Sequence, residues 1–297
     1  MFKRIMLFAM TNILIMVMLG VIISVTGIGR YIDSSFNINF GMLFIFSAVI
    51  GFTGSFISLA LSKFMAKFSM GVKVINPKKI QNDEESWLIN TVYTLAAQAG
   101  MKKMPEVGIY ESNEVNAFAT GATKNSSLVA VSSGMLYRMD KDSIEGVLGH
   151  EIAHITNGDM VTMTLLQGVI NTFVEFFSRI IGWAAARFMA KDDEEPSTMV
   201  YFIVYIVMQI TLGLLGTIAV MSFSRYREFK ADKGGADIAG REKMISALKS
   251  LQNLYQPVDE RGATLATMKI GGKKSFFKLF STHPDLDERI KRLENGI

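Results

Sequence analysis

The sequence predicts an α+β membrane protein that is mainly helical, with four transmembrane helices and a cytosolic domain that contains a small β-sheet. Two observations predict this class. The chain has 297 residues, of which 49% are apolar and only 20% are charged, and its mean hydropathy of +0.29 is high for a soluble domain. The charged residues also avoid several long stretches, as is typical of transmembrane segments.

The composition excludes several classes of site and partner. The chain has no cysteine, which excludes disulfide frameworks, thiolate catalysis and cysteine-bound metals. Any metal must therefore be held by histidines and carboxylates. The net charge of +4, from 31 basic and 27 acidic residues, does not indicate a nucleic-acid partner, because no basic run is interleaved with aromatic residues.

Three stretches without charged side chains are each longer than the about 20 residues that a helix needs to cross the hydrocarbon core. They are residues 5–29, 34–62 and 196–224. The first is longer than the apolar core of a secretory signal, which has about 7 to 15 residues, and no clear cleavage site follows it. We therefore expect it to be a retained anchor.

A fourth stretch, residues 160–190, contains Glu175 and Arg179. Each charge would cost about 2.5 to 3.5 kcal/mol at the bilayer centre, but the two residues stand four apart on one helical face and could pair. We therefore favour a span that neighbouring helices shield over an interfacial helix.

The charges that flank these stretches predict the orientation. Lysine and arginine are concentrated before the first stretch, after the second and after the last, whereas residues 191–195 are net acidic. The positive-inside rule then places both termini in the cytosol. The expected layout is an N-terminal transmembrane hairpin at residues 1–64, a first cytosolic segment at 65–158, a second transmembrane hairpin at 159–224 and a second cytosolic segment at 225–297. The two cytosolic segments would assemble into one domain.

Periodicity and turn signals predict the elements of these cytosolic segments. Apolar residues recur at helical spacing over residues 83–100. Short β-rich runs between Asn, Gly and Ser turns predict strands at residues 107–110, 117–120 and 128–132. The next helix is expected to start at Asp142 as its N-cap, with Glu145 completing a capping box. A last helix is predicted at residues 284–294, opened by Pro284.

The helix after Asp142 carries the motif His150-Glu151-Ile152-Ala153-His154. Four residues are about one helical turn, so both imidazoles project from one face and can bind one zinc ion, with Glu151 beside it as general base. With only three histidines in the chain, two surface histidines at an accidental interval are the less favoured interpretation. The metzincin variant is excluded, because Asn157 and Met160 stand where it needs Gly and His.

Zinc proteases use three protein ligands and leave the fourth position to water, so one more ligand is needed. It must be His283 or a carboxylate in a cytosolic segment. Glu228 qualifies, because it follows the last apolar stretch by four residues, and Asp232 lies one turn further on the same helical face. Asp232 could then hydrogen-bond the outer nitrogen of a ligating histidine. The alternative for Glu228 is a salt bridge to its basic neighbours.

The chain resembles the HtpX family of bacterial heat-shock membrane metalloproteases, which are related to CAAX prenyl proteases. The resemblance covers essentially the whole chain and rests on the four-span layout and on His150-Glu151-x-x-His154, Glu228-x-x-Ala231-Asp232, Asn116-Ala117-Phe118-Ala119-Thr120-Gly121 and Thr282-His283-Pro284. It implies a zincin-like domain that binds one Zn²⁺ per chain through His150, His154 and Glu228. It also implies a zinc endopeptidase of the bacterial inner membrane that degrades misfolded or surplus membrane proteins on the cytosolic side, in the stress response.

Two more roles follow from the resemblance. Asn116, Ala117 and Phe118 would belong to a substrate-binding edge strand that pairs with an extended peptide, although an ordinary sheet edge is equally compatible with their sequence. His283 would approach the active site and could stabilise the oxyanion. The usual role of a lone histidine before a helix is as a cap or packing residue.

The expected partners are the lipid bilayer and membrane-protein substrates, with cooperation between this chain and other membrane quality-control proteases. Helical paths from His154 and Glu228 to the apolar stretches place the zinc on the order of 10 Å from the bilayer face. One alternative is a prenyl-protein protease that cuts near a lipidated terminus. Another is a non-catalytic zinc-dependent scaffold or transporter, in which Glu175 and Arg179 mark an intramembrane path.

Overall fold

The computed structural model describes residues 39–190, 195–255 and 283–296, so the first expected span, at residues 5–29, lies outside the described residues. The described elements are α1 (Phe40–Met70), β1 (Lys73–Val74), α2 (Asp83–Gln98), β2 (Glu106–Tyr110), β3 (Ala117–Thr123), β4 (Ser126–Ser132), α3 (Ser133–Arg138), α4 (Lys141–Asn157), α5 (Asp159–Met189), α6 (Thr198–Ala239), α7 (Arg241–Tyr255) and α8 (Leu286–Glu294). The protein is mainly helical with a small mixed sheet. The chain divides into two compact units, Met1–Ser58 with Met163–Val220 and Leu59–Thr162 with Met221–Ile297.

The first unit is built from apolar helix segments. Within the described part of the chain, three helices, α1, α5 and α6, are long and apolar enough to cross a membrane. They overlap the stretches expected at residues 34–62, 160–190 and 196–224, and α1 and α6 continue eight and fifteen residues beyond the expected ends. Large apolar side chains such as Phe173, Ile206 and Leu215 are exposed on them, as expected for surfaces that face lipid.

A polar network lies within this apolar unit. Glu175 is buried and accepts hydrogen bonds from Arg179 Nε at 2.6 Å, from the Tyr205 hydroxyl at 2.9 Å and from the Gln209 amide. The expected pairing of Glu175 with Arg179 is therefore present. Because three donors satisfy the carboxylate, the network lowers the cost of a charge at this position and joins α5 to α6.

The second unit contains a four-stranded sheet in the order β1-β2-β4-β3. Strands β2 and β4 are parallel, whereas β3 and β4 pair antiparallel. The three predicted strands lie within β2, β3 and β4, each of which extends one to three residues beyond the prediction. The two-residue strand β1 was not predicted. Strand β3 is an edge strand of this sheet, as the residue pattern from Asn116 indicated.

Helix α4 crosses the core of the second unit. Its residues Ile144, Leu148 and Ile152 are fully buried and pack in one cluster with α2 and β4. The expected N-cap at Asp142 is wrong, because Asp140 caps the helix by accepting a hydrogen bond from the Ser143 backbone N–H at 2.9 Å. The Ser143 hydroxyl also bonds Asp140, at 2.7 Å, which favours Asp140 as the cap.

The expected capping box is also wrong. Glu145 pairs with Lys243 Nζ at 2.8 Å instead of closing back on the N-cap. The last described helix begins at Leu286 with Asp285 at its N-cap position, two residues after the expected start at Pro284.

Glycines bring α4 unusually close to α6. A Cβ atom on Gly235 of α6 would lie 2.9 Å from the His150 backbone nitrogen, and one on Gly149 of α4 would lie 2.8 Å from the Ala239 Cβ. Since real Cβ atoms do not approach backbone atoms this closely, only glycine at 235 allows this separation. The two helices thereby bring His150 next to the carboxylates of α6.

Candidate metal centre

The two histidines of α4 and one carboxylate of α6 converge on one point. His150 Nε2 lies 3.1 Å from His154 Nε2, and Glu228 oxygens lie 3.6 Å from His150 Nε2 and 3.3 Å from His154 Nε2. Two atoms that bind one tetrahedral zinc at about 2.0 to 2.1 Å are about 3.3 Å apart. In the described residues these side chains form the one group whose donor atoms all lie within 4.8 Å of one another. The spacing fits a single tetrahedral ion.

The outer nitrogen of each histidine is held by a buried carboxylate. His150 Nδ1 lies 3.0 Å from Asp232 Oδ1, and His154 Nδ1 lies 2.6 Å from Asp159 Oδ2. Each contact fixes the ring so that Nε2 presents its lone pair to the shared point. Asp232 lies where the sequence predicted it, whereas Asp159 was missed.

Asp159 occupies its position because α4 ends beside it. Gly158 caps α4 in the left-handed conformation at φ 72°, and α5 begins at the next residue. The left-handed residue interrupts the helix there, and the Asp159 carboxylate lies against the His154 ring five residues earlier. Asp159 is also paired with Arg227 of α6. A glycine stop followed by an acidic helix start could have indicated this residue.

Arg289 of α8 is a second residue that the sequence analysis missed. It is buried and donates two hydrogen bonds to Asp232, from Nε at 2.8 Å and from Nη2 at 2.6 Å. Its Nη1 lies 3.4 Å from Glu228 Oε2. The sequence did contain a signal for this residue. Arg289 lies three residues after Leu286 and next to Ile290, on the apolar face of the terminal helix, and a charge on such a face needs a buried partner.

The charges of the site favour a divalent cation. Four carboxylates and two guanidinium groups meet around the histidines, namely those of Glu151, Asp159, Glu228, Asp232, Arg227 and Arg289. The four negative and two positive side chains leave a net charge of −2, which a divalent ion would neutralise. Without an ion, burial opposes the charged form of His150, but hydrogen bonds to Asp232 and Glu228 outweigh it and raise the pKa of His150. The pKa of His154 is raised against burial by Glu228 and Glu151. Metal binding therefore competes with protons for these histidine nitrogens.

Four of the remaining predicted residues line a cavity beside His150. The cavity has a volume of ≈ 340 Å³, and its wall includes Glu151, Asn116, Ala117 and His283. Apolar side chains of α3, α4, α7 and α8 complete the lining. The structure thus places the predicted general base and the start of the edge strand around one space.

His283 and Phe118 differ from the other predicted residues in their contacts. His283 is exposed, and its Nδ1 lies 2.6 Å from Glu228 Oε2, so it contacts the same carboxylate as the two α4 histidines. Phe118 does not line the cavity. Its ring packs on Tyr110 at a centroid distance of 5.7 Å, on the other side of the strand from Ala117.

Comparison with known proteins agrees with this geometry. Residues 82–297 match the model of peptidase family M48. The chain is 54% identical over 297 residues to a "Protease HtpX homolog" of Bacillus licheniformis, covering 98% of this chain and 99% of that protein. It is 55% identical over 298 residues to the protein of the same description from Bacillus subtilis, with the same coverages.

A solved structure has a similar fold. The crystal structure of S. mikatae Ste24p aligns with a TM-score of 0.61 at 18% identity and covers 99% of this chain. The chain spans 66% of the length of that protein.

Proposed function

Because this chain belongs to peptidase family M48, we propose that it is a membrane-anchored zinc endopeptidase that cuts misfolded or surplus membrane proteins on the cytosolic side. One observation carries the proposal. His150, His154 and Glu228 meet at tetrahedral spacing, and Glu151 lines the cavity at the same place. A metalloprotease needs this combination of an open metal site and an adjacent base.

Zinc is the metal that this donor set fits best, since two imidazole nitrogens and one carboxylate oxygen are a common catalytic zinc set. Bound there, zinc would polarise the scissile carbonyl and lower the pKa of water toward about 7. Glu151 takes the proton from the attacking water and returns it to the leaving amine. Asp232 and Asp159 keep the two rings in the tautomer that leaves Nε2 without a proton.

The substrate is bound as an extended strand along β3. Ala117 begins this edge strand, and both Asn116 and Ala117 line the cavity next to Glu151. An extended peptide could add to the free edge by backbone hydrogen bonds, which selects unfolded segments over folded ones. His283, three residues before α8, is assigned to the oxyanion, while Phe118 supports the strand through its contact with Tyr110.

The substrates of the proposed enzyme are membrane proteins. We assign four spans, with residues 1–64 and 159–224 as transmembrane hairpins and residues 65–158 and 225–297 as the catalytic domain. The positive-inside rule places the termini and the metal in the cytosol of a bacterium, where the enzyme would act on cytosolic loops and ends and cooperate with other membrane quality-control proteases. Helix α6 supports this assignment, because it runs unbroken from its apolar stretch through Glu228.

The alternatives are less well supported. Curated relatives at 54% identity and above are described as HtpX proteases or their homologues, which does not favour a specialised prenyl-protein protease. For a transporter, Glu175 would need to face an open path, but Arg179, Tyr205 and Gln209 already satisfy its carboxylate.

The proposal is tested by replacing the base without disturbing the metal. Glu151→Gln should retain zinc, because Glu151 is not among the ligands, and should lose at least about 100-fold of casein cleavage, the usual contribution of a general base. Glu145→Gln is the matched control, since Glu145 lies on the same helix and pairs with Lys243. Full cleavage by zinc-loaded Glu151→Gln would overturn the assignment.

A further inference from the structure

A second, smaller cavity lies against a face of α6 that does not carry the proposed ligand Glu228. Its volume is ≈ 130 Å³. From α6 it is lined by Tyr226, Phe229, Lys230 and Lys233, which recur at the i, i+3, i+4, i+7 spacing of one helical face. Glu228 lies on another face, toward the histidines, and Asp232 lies between the two, because it lines the cavity and also contacts His150. Helix α6 therefore presents the metal site on one side and a basic, aromatic stripe on the other.

The floor of this cavity is a neutral ion pair. Asp232 and Arg289 both line it, and they hold each other through two hydrogen bonds at 2.8 and 2.6 Å. Because their charges cancel, the field inside the cavity comes from the other basic residues on its wall. These are Lys230 and Lys233 of α6 and Arg292 of α8.

These three basic side chains are placed where they can contact a bound anion. Lys230 and Lys233 are exposed, and Lys230 Nζ lies 5.0 Å from the Tyr226 ring centroid. Arg292 stacks on Phe229 at 3.8 Å, which fixes the plane of its guanidinium group. Its carboxylate partner Glu288, at 2.9 Å, is about half exposed, and surface pairs of this kind contribute little. The wall thus offers an oriented guanidinium and two exposed ammonium groups, a combination that suits phosphate.

The position of the basic, aromatic stripe in the chain favours a phosphate that belongs to a lipid over one in a soluble compound. Tyr226 is the second residue after the charge-free stretch that ends at Ser224, and it is 52% exposed. Tyrosines and basic residues directly after a transmembrane stretch lie at the level of the lipid headgroups.

We propose that the cavity lined by Lys230, Lys233, Arg292 and Phe229 binds the phosphodiester headgroup of an anionic phospholipid. The bound lipid holds α6 and α8 at the membrane surface. Each lysine near an anionic surface contributes about 1 kcal/mol to the free energy of binding, which is about fivefold in affinity. Lys230→Gln/Lys233→Gln should therefore weaken lipid binding about 30-fold.

The test is a lipid titration of the full-length protein in detergent, followed by native mass spectrometry. Phosphatidylglycerol should bind more tightly than phosphatidylcholine, and millimolar inorganic phosphate should compete weakly. The matched control is Lys102→Gln/Lys103→Gln, which removes the same charge from two exposed lysines outside the cavity and should change the affinity less than about twofold. Both double variants should retain zinc and casein cleavage, because neither touches the metal site.

Three outcomes would overturn the proposal. Equal binding of the two lipids would show that the cavity does not select a net negative headgroup, because phosphatidylcholine carries the same phosphodiester but no net charge. Equal loss in the two double variants would indicate general surface charge instead of this cavity. Inorganic phosphate that binds as tightly as the lipid would identify a soluble phosphate compound as the ligand. If Lys230→Gln/Lys233→Gln does not fold, Lys233→Gln alone should lose about fivefold, since this side chain is exposed.

Discussion

Replacing Asp159 by asparagine should weaken zinc binding although Asp159 does not touch the metal position. Its carboxylate lies 2.6 Å from His154 Nδ1, is buried and pairs with Arg227. Asparagine keeps the size and one acceptor oxygen, but it removes a negative charge and turns an amide toward the guanidinium group. Loss of such a carboxylate behind a ligating histidine typically costs 10- to 100-fold in metal affinity, which is about 1.4 to 2.7 kcal/mol.

The assay is a competition between the purified full-length protein and a chromophoric zinc chelator. Asp142→Asn is the matched control, because Asp142 stands in the first turn of α4 and its side chain is 73% exposed. The thermal midpoints of the metal-free variants separate a metal effect from general destabilisation. Zinc affinity of Asp159→Asn within twofold of the unmodified protein, or an equal loss in Asp142→Asn, would refute the reasoning.

Three other changes test separate parts of the account. Gly235→Ala should reduce zinc affinity and the thermal midpoint, because the new Cβ would lie 2.9 Å from the His150 backbone nitrogen. The control Gly213→Ala should change neither, because nothing lies within 4 Å of its Cβ. Equal effects of the two changes would contradict the close approach of α6 to α4. Asn116→Ala should raise KM or lower kcat for casein while zinc is retained, and zinc loss would instead mean a structural role. Removing zinc with a chelator should abolish cleavage and lower the thermal midpoint, with both restored by added zinc; a metal-free protein that still cleaves would contradict the mechanism.

Local regularities made much of this structure predictable. The pair His150 and His154 follows from helical spacing alone, and the apolar stretches coincide with α1, α5 and α6 where the chain is described. The three predicted strands were found because alternation and turn residues are short-range signals. Asp232 was predicted through its distance from Glu228 on the same helix.

Residues whose role depends on tertiary contacts were harder to find. Asp159 meets His154 at a helix junction, where Gly158 ends α4, and helical spacing alone does not predict a contact across such a junction. Arg289 meets Asp232 across 57 positions of the chain, so its partner could not be read from the helix that carries it. The N-cap error had another cause, since Asp140 and Asp142 both suit an N-cap and the Ser143 contacts decide between them.

The central claim is that two imidazoles of α4 and one carboxylate of α6 hold a single catalytic zinc ion. Elemental analysis of the purified full-length protein tests it most directly, with Glu228→Ala and, as control, Glu242→Ala on α7. The account predicts one zinc per chain in the unmodified protein and in Glu242→Ala, and little or none in Glu228→Ala. Unmodified protein that binds no zinc when zinc is supplied, or full occupancy in Glu228→Ala, would contradict it.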